Sequence, residues 1–225
     1  MSEPRQSVVT LRLPFVSTAL LFATVGLLQA EEPAVLEPEL RQELLDMYAA
    51  DQQARVESLK KLGEAGFTFE KPLPINNPQI LWLILSDGAK HLFQDAQHRE
   101  RLRAIIDRHG WPGKSLVGER AASAAWLLVQ HADIDVPLQR RCLALMEAAP
   151  TGEVSLQNIA YLTDRVRINE GREQVYGSQL GDNFKPQPIE DEANVDARRA
   201  KVGLPPLAEY VETTKAEYEK LLKRE

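Results

Sequence analysis

A single cysteine, Cys142, stands among the 225 residues. That excludes an intramolecular disulfide and any thiolate metal cluster. Cys142 lies in RRCLALM, where helical spacing groups it with Leu138, Leu145 and Met146 as a small core residue. Basic charge is also scarce. The chain holds 27 Lys and Arg against 33 Asp and Glu, a formal charge of −6. Residues 1–30 carry only Arg5, Arg12 and Glu3, so the remainder stands at −7. The one cationic stretch, Lys215, Lys220, Lys223 and Arg224, is diluted by five glutamates in the same final segment. Phosphate binding needs clustered Lys and Arg, so this balance excludes a nucleic-acid partner. Also missing are a Gly-rich phosphate loop, a His-Glu-x-x-His pair, a Cys-x-x-Cys pair and a Gly-x-Ser-x-Gly elbow. No cofactor is named by any motif.

Long apolar runs are absent except at the start. Arg5 and Arg12 precede an uncharged stretch from Leu13 to Ala30, and Glu31-Glu32 follow at once. This is the layout of an export signal cleaved after Ala30, which predicts a periplasmic or secreted protein. The run is also near the roughly 18-residue lower bound of a membrane span. The alternative is therefore an inner-membrane anchor formed by residues 13–30, the only route by which this chain would meet a membrane.

Helical periodicity dominates the rest. Between Glu37 and about Leu62, Leu45, Tyr48, Gln52, Val56 and Leu59 recur at three- or four-residue steps. FEKPLPINNP, with three prolines in ten residues, reads as a loop, and QILWLILS as an apolar run that is either helix or strand. Asp95 reads as the N-cap of a helix that stops at Gly110. From Glu119 to about Ala132 a helix is apolar around almost its whole circumference, the pattern of a segment enclosed by protein. Asp135-Val136-Pro137 and Ser155 open two further helices. RVRI, NEGRE and QVYGSQ alternate around a glycine and predict a two-stranded hairpin. Asn194 to Gly203 and Leu207 onward read as the last two helices. The expected architecture is mainly α, a compact multi-helix domain with one short β-hairpin, preceded by the signal segment.

Polar chemistry gathers where the enclosed helix ends. WLLVQHAD places Gln130, His131 and Asp133 at the close of the most apolar stretch of the mature chain. Desolvation disfavours the charged imidazole unless a carboxylate answers it, and a neutral, tethered histidine is suited to acid/base work. Asp164 and Asp133 are candidates to orient it, and Arg165 is a candidate anion clamp. Gln52, Gln130, Gln139, Gln174, Tyr176 and Gln179 supply hydrogen-bonding groups around that region. Each has a bland counterpart: a satisfied core histidine, a helix cap, a structural ion pair. His91, Asp95 and His98 are spaced for one helical face, but Gly88 and the expected cap at Asp95 predict a break there. They read as caps and solvated surface, and no metal site is assigned.

Three long motifs occur in order: HGWPGKSLVGERAASAAWLLVQHADIDVPLQ, GEVSLQNIAYLTDRVRINEGREQVYGSQ and PIEDEANVDARRAKVGLPPLAEY. With them the chain resembles a bacterial family known only as a domain of unknown function, over roughly Asp95 to Tyr210. MYAADQQAR adds an echo, since Asp51-Gln52 matches an Asp-Gln pair of that family. The family usually has Tyr-Gly-Thr-Gln where this chain has Tyr176-Gly177-Ser178-Gln179, which keeps the hydroxyl. The resemblance brings no activity. It implies a set of positions: Gln52, Trp111, Gln130, His131, Asp133, Gln139, Asp164, Arg165, Gly171, Gln174, Tyr176, Gly177 and Gln179. Together with the patterns above it divides the chain into a signal (1–30, or an N-terminal anchor), an N-terminal helix (31–66), an insertion or loop-rich segment (67–94), a family core (95–212) and a C-terminal helix end (213–225). Two functions are consistent with this reading. One is an exported hydrolase or transferase acting on a small polar or anionic ligand with His131 as acid/base. The other is a non-catalytic binding or scaffold module whose polar cluster is a structural network.

Overall fold

Asn77 and Pro78 open the longest helix of the molecule. The Asn77 side chain accepts from the backbone N–H of Gln79 at 3.0 Å and of Ile80 at 3.3 Å, and Pro78 fills a first-turn position that needs no N–H. The computed structural model describes residues 34–68 and 77–222. The segment read as an export signal, and positions 69–76 of the proline-rich loop, lie outside the described residues. No described helix is long and apolar enough to cross a membrane.

Among the described residues eight α-helices follow in chain order: α1 (Pro38–Glu64), α2 (Pro78–His109), α3 (Lys114–Val117), α4 (Glu119–Gln130), α5 (Val136–Glu147), α6 (Leu156–Asn169), α7 (Val195–Lys201) and α8 (Leu207–Leu222). The described residues form a compact helical domain without a sheet. Its axis is α4, which packs against α1, α2, α3, α5 and α6. Every residue from Ala124 to Gln130 is buried, as the all-round apolar pattern predicts. Its alanines, Ala121 and Ala125 among them, are fully enclosed and allow close approach of neighbouring backbones. Caps set the later boundaries as expected. Asp135 accepts from Leu138 N–H to start α5, and Ser155 accepts from Gln157 N–H to start α6. The Trp126, Tyr161 and Tyr210 rings meet in sequence as tilted pairs, with centroids 5.9 and 6.0 Å apart, joining α4, α6 and α8. Arg199 of α7 is fully buried. It lies 4.9 Å above the Tyr210 ring and donates to the carbonyls of Tyr176 and Pro205, both at 2.6 Å.

The fold corrects three expectations. First, no hairpin forms. Residues 164–169 continue α6, because Leu162 and Val166 share its buried face. The chain turns at Gly171 (φ 73°) and returns as an irregular loop with only isolated bridges, Gln174 to Ile189 and Leu180 to Pro186. Second, Gly88 and Asp95 do not break α2. Asn77 is its cap, and QILWLILS lies inside it. Third, the buried face of α1 is Leu40, Leu44, Asp51, Arg55 and Leu59, whereas Leu45, Tyr48, Gln52 and Val56 are only partly covered. A face that buries Asp51 and Arg55 is invisible to a search for apolar periodicity.

Candidate active site

The site is built where α1, α2 and the end of α4 meet. His131 is the C-cap residue of α4, its backbone N–H bonded to Leu127 C=O at 3.1 Å. This position turns the imidazole toward α1. Its Nδ1 lies 3.0 Å from Asp51 Oδ1 and 2.8 Å from Oδ2. The two side chains are 2% and 1% exposed, so bulk water does not screen the pair. A carboxylate at Nδ1 favours the tautomer with the proton on that nitrogen, leaving the Nε2 lone pair free. The buried Nε2 meets no protein partner.

Asp51 is itself held from several sides. Arg55, one helical turn on, donates from Nε at 3.1 Å, and Gln52 Nε2 donates at 2.9 Å. Burial alone would raise the Asp51 carboxyl, but His131, Arg55 and Gln52 together hold it well below the usual carboxylate range. The second guanidinium arm of Arg55 reaches Asp95 of α2 at 2.7 Å. Farther along the same antiparallel seam, Ser58 Oγ donates to Asp87 at 2.9 Å and lies 2.9 Å from His91 Nε2. Burial lowers both His91 and His98 from their ordinary value. Asp51, Asp95 and His98 each present one ligand atom within 4.8 Å of the others. Arg55 bridges those two carboxylates and offsets one of their two charges, and we assign the cluster no ion.

A second group adjoins the first at residue 130. The Gln130 Oε1 atom accepts from Arg165 Nε at 3.3 Å, and Gln130 Nε2 is buried without a protein partner. Arg165 also lies 3.5 Å from Asp133. Asn169 bridges Asp133 Oδ1 at 3.1 Å and Gln139 Oε1 at 2.9 Å, and Gln139 Nε2 donates to Val129 C=O at 3.1 Å. The Tyr218 ring of α8 is fully buried within the field of both Arg165 and Arg55. The structure thus brings Gln52, Gln130, His131, Asp133, Gln139 and Arg165 into one neighbourhood. Its interior is enclosed, with the Arg165 side chain 12% exposed, while Asp133 at its edge is 32% exposed.

Asp164, Gln174, Tyr176 and Gln179 belong to a different network. Asp164 is buried with its oxygens on the N–H groups of Val175 (2.7 Å), Tyr176 (3.0 Å) and Ser178 (2.9 Å), and on the Ser178 hydroxyl (2.8 Å). Gln174 donates to the carbonyls of Gln179 and Gln187 and accepts from Gln179 N–H. Gln179 Nε2 donates to Ser178 Oγ at 3.1 Å. These groups fold the loop after α6. Gly177 is the tight point of that loop: at φ 70°, a Cβ there would stand 2.9 Å from both Ile189 and Leu207. The carboxylate that meets His131 is therefore Asp51, where Asp164 or Asp133 was expected. The one pointer to it was the Asp51-Gln52 pair of the resemblance, since a face that buries a carboxylate and a guanidinium carries no apolar periodicity.

The motifs that form both networks run through one family match, covering residues 38–223. The chain belongs to DUF6624, a family of unknown function. The match begins with α1, well upstream of the Asp95 start seen in the sequence motifs, and so takes in Asp51 and Arg55. Comparisons with curated proteins and with solved structures find no match.

Proposed function

We propose that this DUF6624 chain is an acid/base catalyst, a hydrolase or transferase, in which His131 moves a proton at Nε2. One observation carries the reading: a buried imidazole has a carboxylate at Nδ1 and no protein partner at Nε2. Asp51 would hold the tautomer and orientation and stabilise the imidazolium that forms, the role a buried carboxylate plays in hydrolytic triads. His131 would take a proton from an attacking hydroxyl or water and return it to the leaving group. Arg165, reached through Gln130, and the free amide of Gln130 would receive a small polar or anionic ligand. Because the imidazole is enclosed, ligand entry requires the α1–α4 junction to open. The export-like start of the chain would place this chemistry in the periplasm or outside the cell.

A panel of chromogenic esters, phosphoesters, amides and glycosides, assayed from pH 5 to 9, tests the reading. We expect turnover of at least one class and a 10²- to 10⁴-fold loss in His131→Gln. A His131→Gln variant that melts like the parent and keeps the full rate would end the proposal. So would histidine ¹⁵N shifts showing the proton on Nε2.

A second reading, a structural network in a non-catalytic binding or scaffold module, is favoured by the saturated bonding around Asp164. Four donors converge there, which is how a carboxylate folds a loop. It would gain if neither turnover nor a ligand-dependent rise in melting temperature were found across the panel.

A further inference from the structure

The first half of α2 carries an apolar face that no described residue covers. Trp82, Leu85, Leu92 and Phe93 are 66%, 65%, 47% and 68% exposed, on the side of the helix away from Ile80, Asp87 and His91, which are buried. With the exposed Ala89 and Ala96, Trp82, Leu85 and Leu92 form the series 82, 85, 89, 92, 96, and Phe93 stands beside it. Its steps of three, four, three and four residues are the spacing of a seam between two helices, narrower than the stripe a helix turns toward a globular core. Scattered exposed hydrophobics need no explanation, but a continuous row of this kind marks an interaction surface.

From this geometry we infer that the face binds a second copy of the chain, α2 against α2, antiparallel about a two-fold axis near Ala89. Self-complementarity supports this. In that register Trp82 stands opposite Ala96, Leu85 opposite Phe93, Leu92 opposite Ser86 and Ala89 opposite its own copy, so the largest side chain meets a small one, Leu85 and Phe93 supply a bulky apolar pair on either side, and the axis falls on a methyl group. Area supports it too. The exposed parts of the four large side chains amount to about 500 Å² per copy. The pair therefore buries about 1,000 Å², the scale at which a specific interface begins. A bilayer is the poorer occupant. Surface-lying helices rely on Lys and Arg along the polar margin, whereas this row is flanked by Ser86, Lys90, Gln94 and Gln97 on a chain of net charge −6.

Sedimentation equilibrium of the purified chain, with the double variant Trp82→Glu/Phe93→Glu, tests the inference. We expect a monomer–dimer equilibrium that the variant weakens at least about 100-fold, with circular dichroism and melting temperature unchanged. Ala89→Cys should cross-link to itself under mild oxidant, and Ala104→Cys, on the same helix outside the row, should not. The native Cys142 is buried and does not interfere. A chain that stays monomeric at 100 μM overturns the proposal. So does a dimer that survives both charges, or binding to phosphatidylglycerol vesicles by a chain that does not dimerise. A dimer without the 89–89 cross-link overturns the antiparallel register.

Discussion

Removing the Asp164 carboxylate should unfasten the loop after α6, and the size of the effect can be worked from its four donors. Ser178 is fully buried, and both its N–H (2.9 Å) and its hydroxyl (2.8 Å) end on Asp164 Oδ2. Val175 and Tyr176 are half-buried, so their N–H groups can turn to water more readily. A buried donor left without an acceptor costs about 1–3 kcal/mol. Two such groups at Ser178, plus a partial loss at 175 and 176, place Asp164→Ala about 3–5 kcal/mol below the parent. In a domain of this size about 1 kcal/mol moves the midpoint by about 2–4 °C, so the melting temperature should fall by roughly 6–20 °C. Asp164→Asn should fall between the two. Its oxygen still serves Val175 and Tyr176, but its amide meets the Ser178 N–H donor to donor. Thermal and urea denaturation followed by circular dichroism measure both values. Hydrogen exchange at 175, 176 and 178 should quicken before the helices do. If Asp164→Ala cost less than about 1 kcal/mol, the loop would be held by something else and the saturated-network account would fail.

The depressed Asp51 carboxyl gives a pH signature. Because its folded value lies below the unfolded value of about 3.9, its contribution is complete above that value and is lost as pH falls through the folded one. Stability measured from pH 6 to 2 should decline in acid, and Asp51→Asn should lower stability at pH 6 while flattening that decline. Burial pushes the Cys142 thiol up to about 12. A disulfide reagent at pH 8 should therefore leave the folded protein unmodified and react at the rate of unfolding, seen as a rise with urea. Gly177→Ala forces a left-handed backbone on alanine and a methyl against Ile189 and Leu207. We expect a loss of about 1–3 kcal/mol by denaturant titration.

What the sequence made legible was what local chemistry controls. The enclosed character of α4 follows from its apolar circumference, and the starts of α5 and α6 follow from Asp135 and Ser155. The site was half legible. Residues near the end of α4 and in α6 were readable as a polar group because WLLVQHAD interrupts an apolar run. The partner of His131 was not, since pairing depends on which face of a distant helix arrives there. Apolar periodicity assigned α1 a face that the structure only partly covers, because Asp51 and Arg55 neutralise each other and can be buried together. The alternation after Asp164 suggested strands. A carboxylate accepting hydrogen bonds from three backbone N–H groups replaces the ladder a second strand would have offered.

Asp51 and His131 stand 80 positions apart along the chain. Neither α1 alone nor the segment ending in α4 contains the couple, and it comes into being only when those two helices dock. A chain that is helical but not yet assembled therefore carries an imidazole without its carboxylate. Reactivity at residue 131 would therefore wait on the docking of α1 against the end of α4, making that nitrogen a built-in reporter of this one closure.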